Sequence, residues 1–349
     1  MISFEAGLVG VQHGGIGREA ESLLRALQSE AIPLTLLTWP GQTVDSLSHA
    51  VPRQISRPLP RRIALGIALL MKRALTLRTP DKSTLFLPQV LPFKQKRSHG
   101  PIVVRLHDLF PITHPEWFTA KASALFKISL DQLVKNRAYF LCDSRSSELE
   151  LLALHPSARS LGVLHCYIPP FTESKECGDC LGCTFDATKK FFIAVGTIEP
   201  RKNYNFLVEL VTSAPEIRIA VVGRPGWKSE ATLSSLRNTG GIHYLEKVCD
   251  GSLKKLYENA GAFLSPSLDE GFNIPAFEAK RFGLPLILSD IPVHREMHPH
   301  EKLLGISNTS GWITALRGES YEKTVRELPS FADYSKSLVE RLNGENPLL

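Results

Sequence analysis

No stretch of this chain is apolar enough, for long enough, to read as a membrane span. The best candidate, Ile63 to Met71 between Arg62 and Lys72, falls well short of the roughly 18 residues a spanning helix needs. The first residues, MISFEAG, lack a basic segment and carry Glu5, so no secretory signal is expected. These absences point to a cytoplasmic protein, either soluble or peripheral at the inner face of the cytoplasmic membrane, with its 6 cysteines reduced by default. Repeats and low-complexity tracts are also lacking. A composition of 43% hydrophobic and 22% charged residues excludes disordered and collagen-like chains. Acidic residues are scarce in one place. Residues 51–100 hold Arg53, Arg57, Arg61, Arg62, Lys72, Arg73, Arg78, Lys82, Lys94, Lys96 and Arg97 against Asp81 alone, in a chain whose net charge is only +6. One basic face on an otherwise slightly acidic molecule follows, and nucleic acid is not an expected partner.

At 349 residues the chain is too long for one ordinary core and predicts two domains. Short apolar runs alternate with helical stretches, the pattern of a parallel α/β unit. In the first half, strands are expected at 2–8, 34–37, 84–87, 102–106 and 139–142. A glycine turn at Gly14, Gly15 and Gly17 leads into a helix over 18–27, and a helix over 147–154 is capped by Ser144 or Ser146. The periodicity fails near 165–189, where Pro169, Pro170, Gly178 and Gly182 cluster. A second α/β series then runs through strands at 191–195, 217–222, 262–264 and 285–288, and helices at 204–212, 253–259 and 274–281. Residues 1–165 and 190–325 therefore form the two domains, with 166–189 as linker and 326–349 as a terminal helical segment. In such sheets chemistry gathers at the carboxyl ends of strands.

Two strand-end motifs offer that chemistry. Glu270-Gly-Phe-Asn-Ile-Pro-Ala-Phe-Glu278 pairs two glutamates across a loop and a helix start, with Pro275 suited to the first turn. Its backbone N–H groups and helix N-terminus suit an anion such as a diphosphate, and the glutamates suit sugar hydroxyls. Two solvated glutamates beside a helix start are the plainer alternative. Gly196-Thr-Ile-Glu-Pro-Arg201-Lys202-Asn203 follows a strand and offers adjacent cations, able to hold an anionic leaving group or simply to cap the next helix. The glycine turn after the first strand is incomplete as a dinucleotide fingerprint.

Taken together, VGTIEPRKN, VVGRPGWKSE, LYENAGAFLSPSLDEGFNIPAFEAKRFGLPLILSDIPVHRE and, in the first half, GGIGR, VVRLHDLFPITHPEWF and CDSRSSEL are in the order and spacing of glycosyltransferase family 4. The chain resembles these retaining GT-B enzymes over about 300 residues. The resemblance implies an α/β fold of two Rossmann-like domains facing across a cleft, the first binding the acceptor and the second the nucleotide-sugar. It implies that Glu270 contacts the donor sugar, Glu278 the nucleotide ribose, and Arg201 and Lys202 the diphosphate. Gly15, Gly17, Gly271, Phe272 and Asn273 would line the donor, and His107 would lie beside the transferring sugar. Thr197 stands where arginine is common and Asn273 where glycine is common. The Asp-x-Asp clamp of the other glycosyltransferase fold is lacking, so catalysis without a metal or cofactor is expected. The implied reaction moves a hexose, mannose favoured, to a growing lipid-linked oligosaccharide or polysaccharide of O-antigen or exopolysaccharide type. A GT-B synthase with a soluble product, and a lapsed glycan-binding scaffold, are the competing readings.

Two features fall outside that resemblance. Cys177-x2-Cys180-x2-Cys183, with Cys166 upstream, has a spacing that occurs around structural zinc and in iron–sulfur proteins; a loop of thiols without metal is the alternative. Over Pro60–Arg78, apolar Ile63, Ile67, Leu70, Met71, Ala74 and Leu77 share a helical face flanked by basic residues. That is the pattern of a helix lying on an anionic membrane surface, or of an ordinary core helix with a basic outer side.

Overall fold

The computed structural model describes residues 1–9, 15–40, 42, 54–96, 100–169, 171, 180, 184–318 and 327–343. The chain divides into two compact units, Met1–Tyr167 with Pro329–Leu349, and Ile168–Leu328.

The first unit contributes β1 (Ile2–Glu5), β2 (Leu34–Thr38), β3 (Gln54–Ser56), β4 (Leu75–Thr76), β5 (Thr84–Leu87), β6 (Phe93–Lys94), β7 (Ile102–Leu106), β8 (Tyr139–Cys142) and β9 (Arg159–Val163). Seven of these form one parallel sheet in the order β3-β2-β1-β5-β7-β8-β9, while β4 and β6 pair separately. The central strands read as nearly unbroken apolar runs because both sheet faces are covered. Ile2, Phe4, Phe86 and Val103 face Leu23, Leu24 and Leu27 of α1 (Gly15–Ser29). Leu37, Leu85, Val104 and Phe140 form a second core with residues of three further helices: α2 (Arg61–Met71), α4 (Ala120–Lys135) and α5 (Arg145–Leu154); the short α3 (Phe110–Thr113) lies between α2 and α4 in the chain. Ser144 caps α5 by accepting from the Ser147 N–H.

Two expectations shift here. β1 stops at Glu5 rather than running to Leu8, because the chain turns at once and the Val9 N–H returns to the Ala6 carbonyl. The helix expected over 60–78 ends at Met71. Lys72 adopts a left-handed conformation (φ 48°), and the N–H groups of Lys72 and Arg73 close onto the carbonyls of Leu69 and Ala68, a C-terminal capping turn. Ala74 and Leu77 lie beyond that stop and are buried, while α2 itself turns Ala64 and Ala68 inward. Ile63, Leu70 and Met71 are left outside, Leu70 being 85% exposed.

The second unit holds β10 (Phe192–Val195), β11 (Ile219–Val222), β12 (Ile242–Leu245), β13 (Phe263–Ser265), β14 (Leu286–Ser289) and β15 (Lys302–Leu304). All are parallel, in the order β12-β11-β10-β13-β14-β15. Counted from β10 this is the 3-2-1-4-5-6 order of a dinucleotide-binding sheet, and the order reverses between β10 and β13. Its helices are α6 (Tyr204–Ser213), α7 (Glu230–Asn238), α8 (Asp250–Asn259), α9 (Ile274–Arg281), α10 (Pro292–Met297) and α11 (Thr309–Arg317). The last helix, α12 (Phe331–Leu342), packs on α1 in the first unit, where Tyr334, Leu338 and Leu342 join the core with Leu23, Leu24 and Leu27.

Candidate functional site

The loops that leave β10 and β13 emerge side by side at the point where the second sheet reverses. Two hydrogen bonds tie them together: the Leu268 backbone N–H donates to the Arg201 carbonyl at 2.7 Å, and the Asn203 side-chain amide Nδ2 donates to the Pro266 carbonyl at 3.2 Å. Glycine is required at the base of the first loop. A Cβ on Gly223, after β11, would lie 1.9 Å from the Gly196 carbonyl oxygen, and Gly196 itself has φ +152°, so neither position accepts a larger residue without rearrangement.

Glu270, Arg201 and Lys202 meet there. Lys202 Nζ donates to Glu270 Oε1 at 2.5 Å, Ser267 Oγ donates to the same oxygen at 2.7 Å, and Arg201 Nη1 donates to Oε2. Arg201 Nε also reaches Glu199 at 3.1 Å. Glu270 and Lys202 are buried, whereas the Arg201 side chain keeps 22% of its surface exposed. Burial alone would push the Glu270 carboxyl upward, but Arg201 and Lys202 outweigh it and bring it down to about 2. Burial holds the Lys202 ammonium below its usual range despite Glu270. The result is a fixed carboxylate beside two cations at the carboxyl ends of adjacent strands. Such a group can bind hydroxyls through its anion and phosphate through its cations.

The rest of the Glu270–Glu278 motif divides its work. Phe272 is buried and stacks on Phe277. Asn273, at φ 68°, occupies the left-handed conformation ahead of α9; its amide nitrogen donates to Ser265 Oγ at 3.1 Å and to His294 Nε2 at 2.8 Å. His294 Nδ1 donates in turn to the Ser289 carbonyl at 2.8 Å. Burial keeps that imidazole neutral, which matches Nε2 acting as acceptor. The asparagine at this otherwise glycine-favouring position thus fastens the loop to β13 and α10. Glu278, on α9, is buried and accepts a hydrogen bond from Tyr257 at 3.0 Å. Pro275 sits in the first turn of α9.

His107 stands at the end of β7 in the first unit. Its Nδ1 lies 2.8 Å from Asp143 Oδ2 and its Nε2 3.0 Å from the Pro88 carbonyl. Both partners are acceptors, so the doubly protonated ring fits where a neutral one would leave one contact unmatched. Burial opposes that charge, yet Asp143 prevails and raises the imidazole above its usual range. Asp143 also pairs with Arg105 at 2.7 Å, and Arg105, fully buried, reaches Glu19 at 3.1 Å and the Leu164 carbonyl at 2.6 Å. Tyr334 of α12 donates to Glu19 at 2.9 Å. Sequence reading missed Ser267, Tyr257, His294 and this entire network, apart from His107 and Cys166. The one available signal was Arg105, a charge inside an otherwise apolar strand.

Gly15 and Gly17 lie in the first turn of α1; Gly14 is outside the described residues. Cys166 parts from the cysteine motif: its thiol is buried on Asp143 Oδ2 at 3.3 Å, and burial raises it well above the ordinary range. Cys177 and Cys183 lie outside the described residues. Cys180 is described, and its neighbour is Cys249. Among the described residues no group of three or more His, Cys, Asp or Glu could hold a metal ion, and no helix is long and apolar enough to cross a membrane.

Residues 184–328 match the family model described as glycosyl transferases group 1. The serotype-specific mannosyltransferase WbdA of Escherichia coli is 25% identical over 307 residues, covering 81% of this chain and 38% of that protein. The O-antigen chain mannosyltransferase B of Escherichia coli is 30% identical over 215 residues, covering 58% of this chain and 55% of that one. The chain thus spans well under half the length of the first relative. Among solved structures, Anabaena HepE, in complex with UDP and glucose, superposes with a TM-score of 0.64 at 12% identity, covering 97% of this chain and 94% of that one. With its two parallel-sheet units, the chain has the GT-B fold, and its second unit carries the match to glycosyl transferases group 1.

Proposed function

We propose that this protein is a retaining glycosyltransferase, of the family 4 type, that moves a hexose, mannose favoured, from a nucleotide-sugar to a growing lipid-linked glycan of O-antigen or exopolysaccharide type. The observation that carries this reading is the Glu270–Arg201–Lys202 cluster at the reversal of the second sheet. Departure of a nucleoside diphosphate builds negative charge, and fixed cations and N–H groups stabilise it in the transition state. Arg201 and Lys202 are the cations, the α9 N-terminus supplies N–H groups, and Glu270 receives sugar hydroxyls. Glu278 takes the ribose. Glu270 acts by position and charge. Retention follows from same-face attack, with the leaving phosphate accepting the acceptor's proton. His107, its ring held by Asp143, stands beside the transferring sugar. The mannosyltransferase relatives favour mannose and an O-antigen type of product.

The exposed side of α2 favours a lipid-linked acceptor over a soluble one. Ile63, Leu70 and Met71 project outward beside exposed Arg62, Lys72 and Arg73, an arrangement suited to an anionic bilayer surface. A depression lined by Arg73, Lys94 and Lys135 adds to the positive potential of the same unit. The proposed site of action is the cytoplasmic face of the membrane, with no metal in the reaction.

A panel of nucleotide-sugars tests the reading by thermal stabilisation and by transfer to a lipid-linked acceptor. A mannosyl nucleotide should stabilise the protein most, by mass action, and the product should keep the donor's anomeric configuration. No response to any nucleotide-sugar, or an inverted product, overturns it.

A further inference from the structure

A line of buried hydrogen bonds joins Glu270 to His294 on α10. Ser267 Oγ donates to Glu270 Oε1 at 2.7 Å, the hydroxyls of Ser265 and Ser267 lie 3.0 Å apart, and Asn273 Nδ2 reaches Ser265 Oγ at 3.1 Å and His294 Nε2 at 2.8 Å. The direction of each bond follows from the ends. Glu270 is an anion and only accepts, so Ser267 gives it its one hydrogen and must itself accept from Ser265. Ser265 in turn accepts from Asn273. The second hydrogen of that amide needs an acceptor. His294 Nε2 provides one only while the ring is neutral with its hydrogen on Nδ1, which the Ser289 carbonyl accepts at 2.8 Å. Ser289 adds a second tie, its hydroxyl donating to the Ser267 carbonyl at 2.5 Å.

We infer that His294 is a positioning residue for Glu270, fixing through Asn273, Ser265 and Ser267 the direction in which the serine hydroxyls point. The inference rests on the proposed place of Glu270 at the donor sugar. A proton on Nε2 would face the hydrogens of the Asn273 amide. That amide can meet it only by turning over, which brings Oδ1, a buried atom without a partner in the neutral arrangement, onto both His294 and Ser265. Ser265 must then give its hydrogen to Oδ1, its bond to Ser267 is lost, and the hydroxyl on Glu270 is no longer held from behind. The groups that bear on the charge of the ring are Glu270 and Lys202, on the loops after β13 and β10, and His298 at the end of α10, with ring centres 6.1 Å apart. Burial outweighs Glu270 and holds the imidazole below its ordinary 6.5. The line is therefore intact at neutral pH and breaks as pH falls below that value.

Steady-state sugar transfer by the full chain, compared between about pH 7.5 and about pH 5, tests this. His294→Leu removes the acceptor, and its turnover at about pH 7.5 should fall about tenfold or more. Its affinity for GDP or UDP, whichever carried the transferred sugar, should stay within about twofold, because Arg201 and Lys202 are untouched. His294→Gln offers Oε1 as an acceptor that cannot be protonated, so its turnover at about pH 7.5 should stay within about threefold of wild type. The ratio of wild-type to His294→Gln turnover should then fall at least about threefold on acidification. Should His294→Leu fold poorly, Ser265→Ala breaks the same line without touching the histidine, and the same loss of turnover with unchanged nucleotide affinity is expected. Wild-type turnover in either His294→Leu or Ser265→Ala overturns the inference. So does a wild-type to His294→Gln ratio that is constant with pH, or a His294→Gln variant as slow as His294→Leu. Absence of transfer by the wild type from any nucleotide-sugar overturns the functional reading itself, and this inference with it.

Discussion

Glu270 is buried among two cations and a hydroxyl, and that setting decides what its substitution does. Glu270→Gln keeps the shape and removes the charge, so Lys202 stays buried without its counter-ion and the sugar site loses its anion. Transfer should fall by about 100-fold or more, measured as turnover on protein shown to be folded by circular dichroism. A loss of less than about threefold would displace Glu270 from the site. The three charged residues were legible in sequence because each ends a strand–loop motif. Ser267 was not, because nothing in the chain near a serine three positions before a glutamate says that its hydroxyl turns back onto the carboxylate.

At the scale of the element, α2 departs furthest from its sequence pattern. The apolar stripe suggested one long helix over 60–78, but the capping turn at Lys72 cuts it, and the downstream apolar residues bury separately. What remains outside is a short apolar edge flanked by arginine and lysine. If that edge meets a bilayer, the protein should float with vesicles containing anionic phospholipid, and less so as salt screens the charges. Leu70→Glu, at a position 85% exposed, should reduce flotation at least about tenfold without lowering the melting temperature. Equal flotation of the variant, or binding only to neutral vesicles, would remove the membrane from the proposal. The strands were easier to read than this helix. A buried parallel strand needs only a short apolar run between turns, whereas the end of a helix depends on one residue adopting a left-handed conformation that lysine seldom prefers.

For the whole molecule, the buried charges make stability depend on pH in two directions. Glu270 is depressed from 4.5 to about 2, so its contribution is complete above pH 4.5 and is lost as pH falls toward 2. His107 is raised above its ordinary 6.5. Its contribution is complete below that value and is lost as pH rises through the folded-state titration. The difference in melting temperature between wild type and His107→Gln should therefore be largest near about pH 5.5 and shrink toward about pH 9. A constant difference across that range would mean that His107 is neutral.

Sequence by itself determined the two α/β series, the strand ends that carry Glu270, Arg201, Lys202 and His107, and the basic stretch. Each depends on local periodicity or on a short motif whose residues are neighbours in the chain. Only tertiary structure decided the partners: Tyr334 on Glu19 from 315 positions away, Cys249 on Cys180, and Asn273 on His294. It also decided which side of α2 is buried. Those outcomes depend on how sheets and helices pack, and packing joins residues that sequence spacing leaves unrelated.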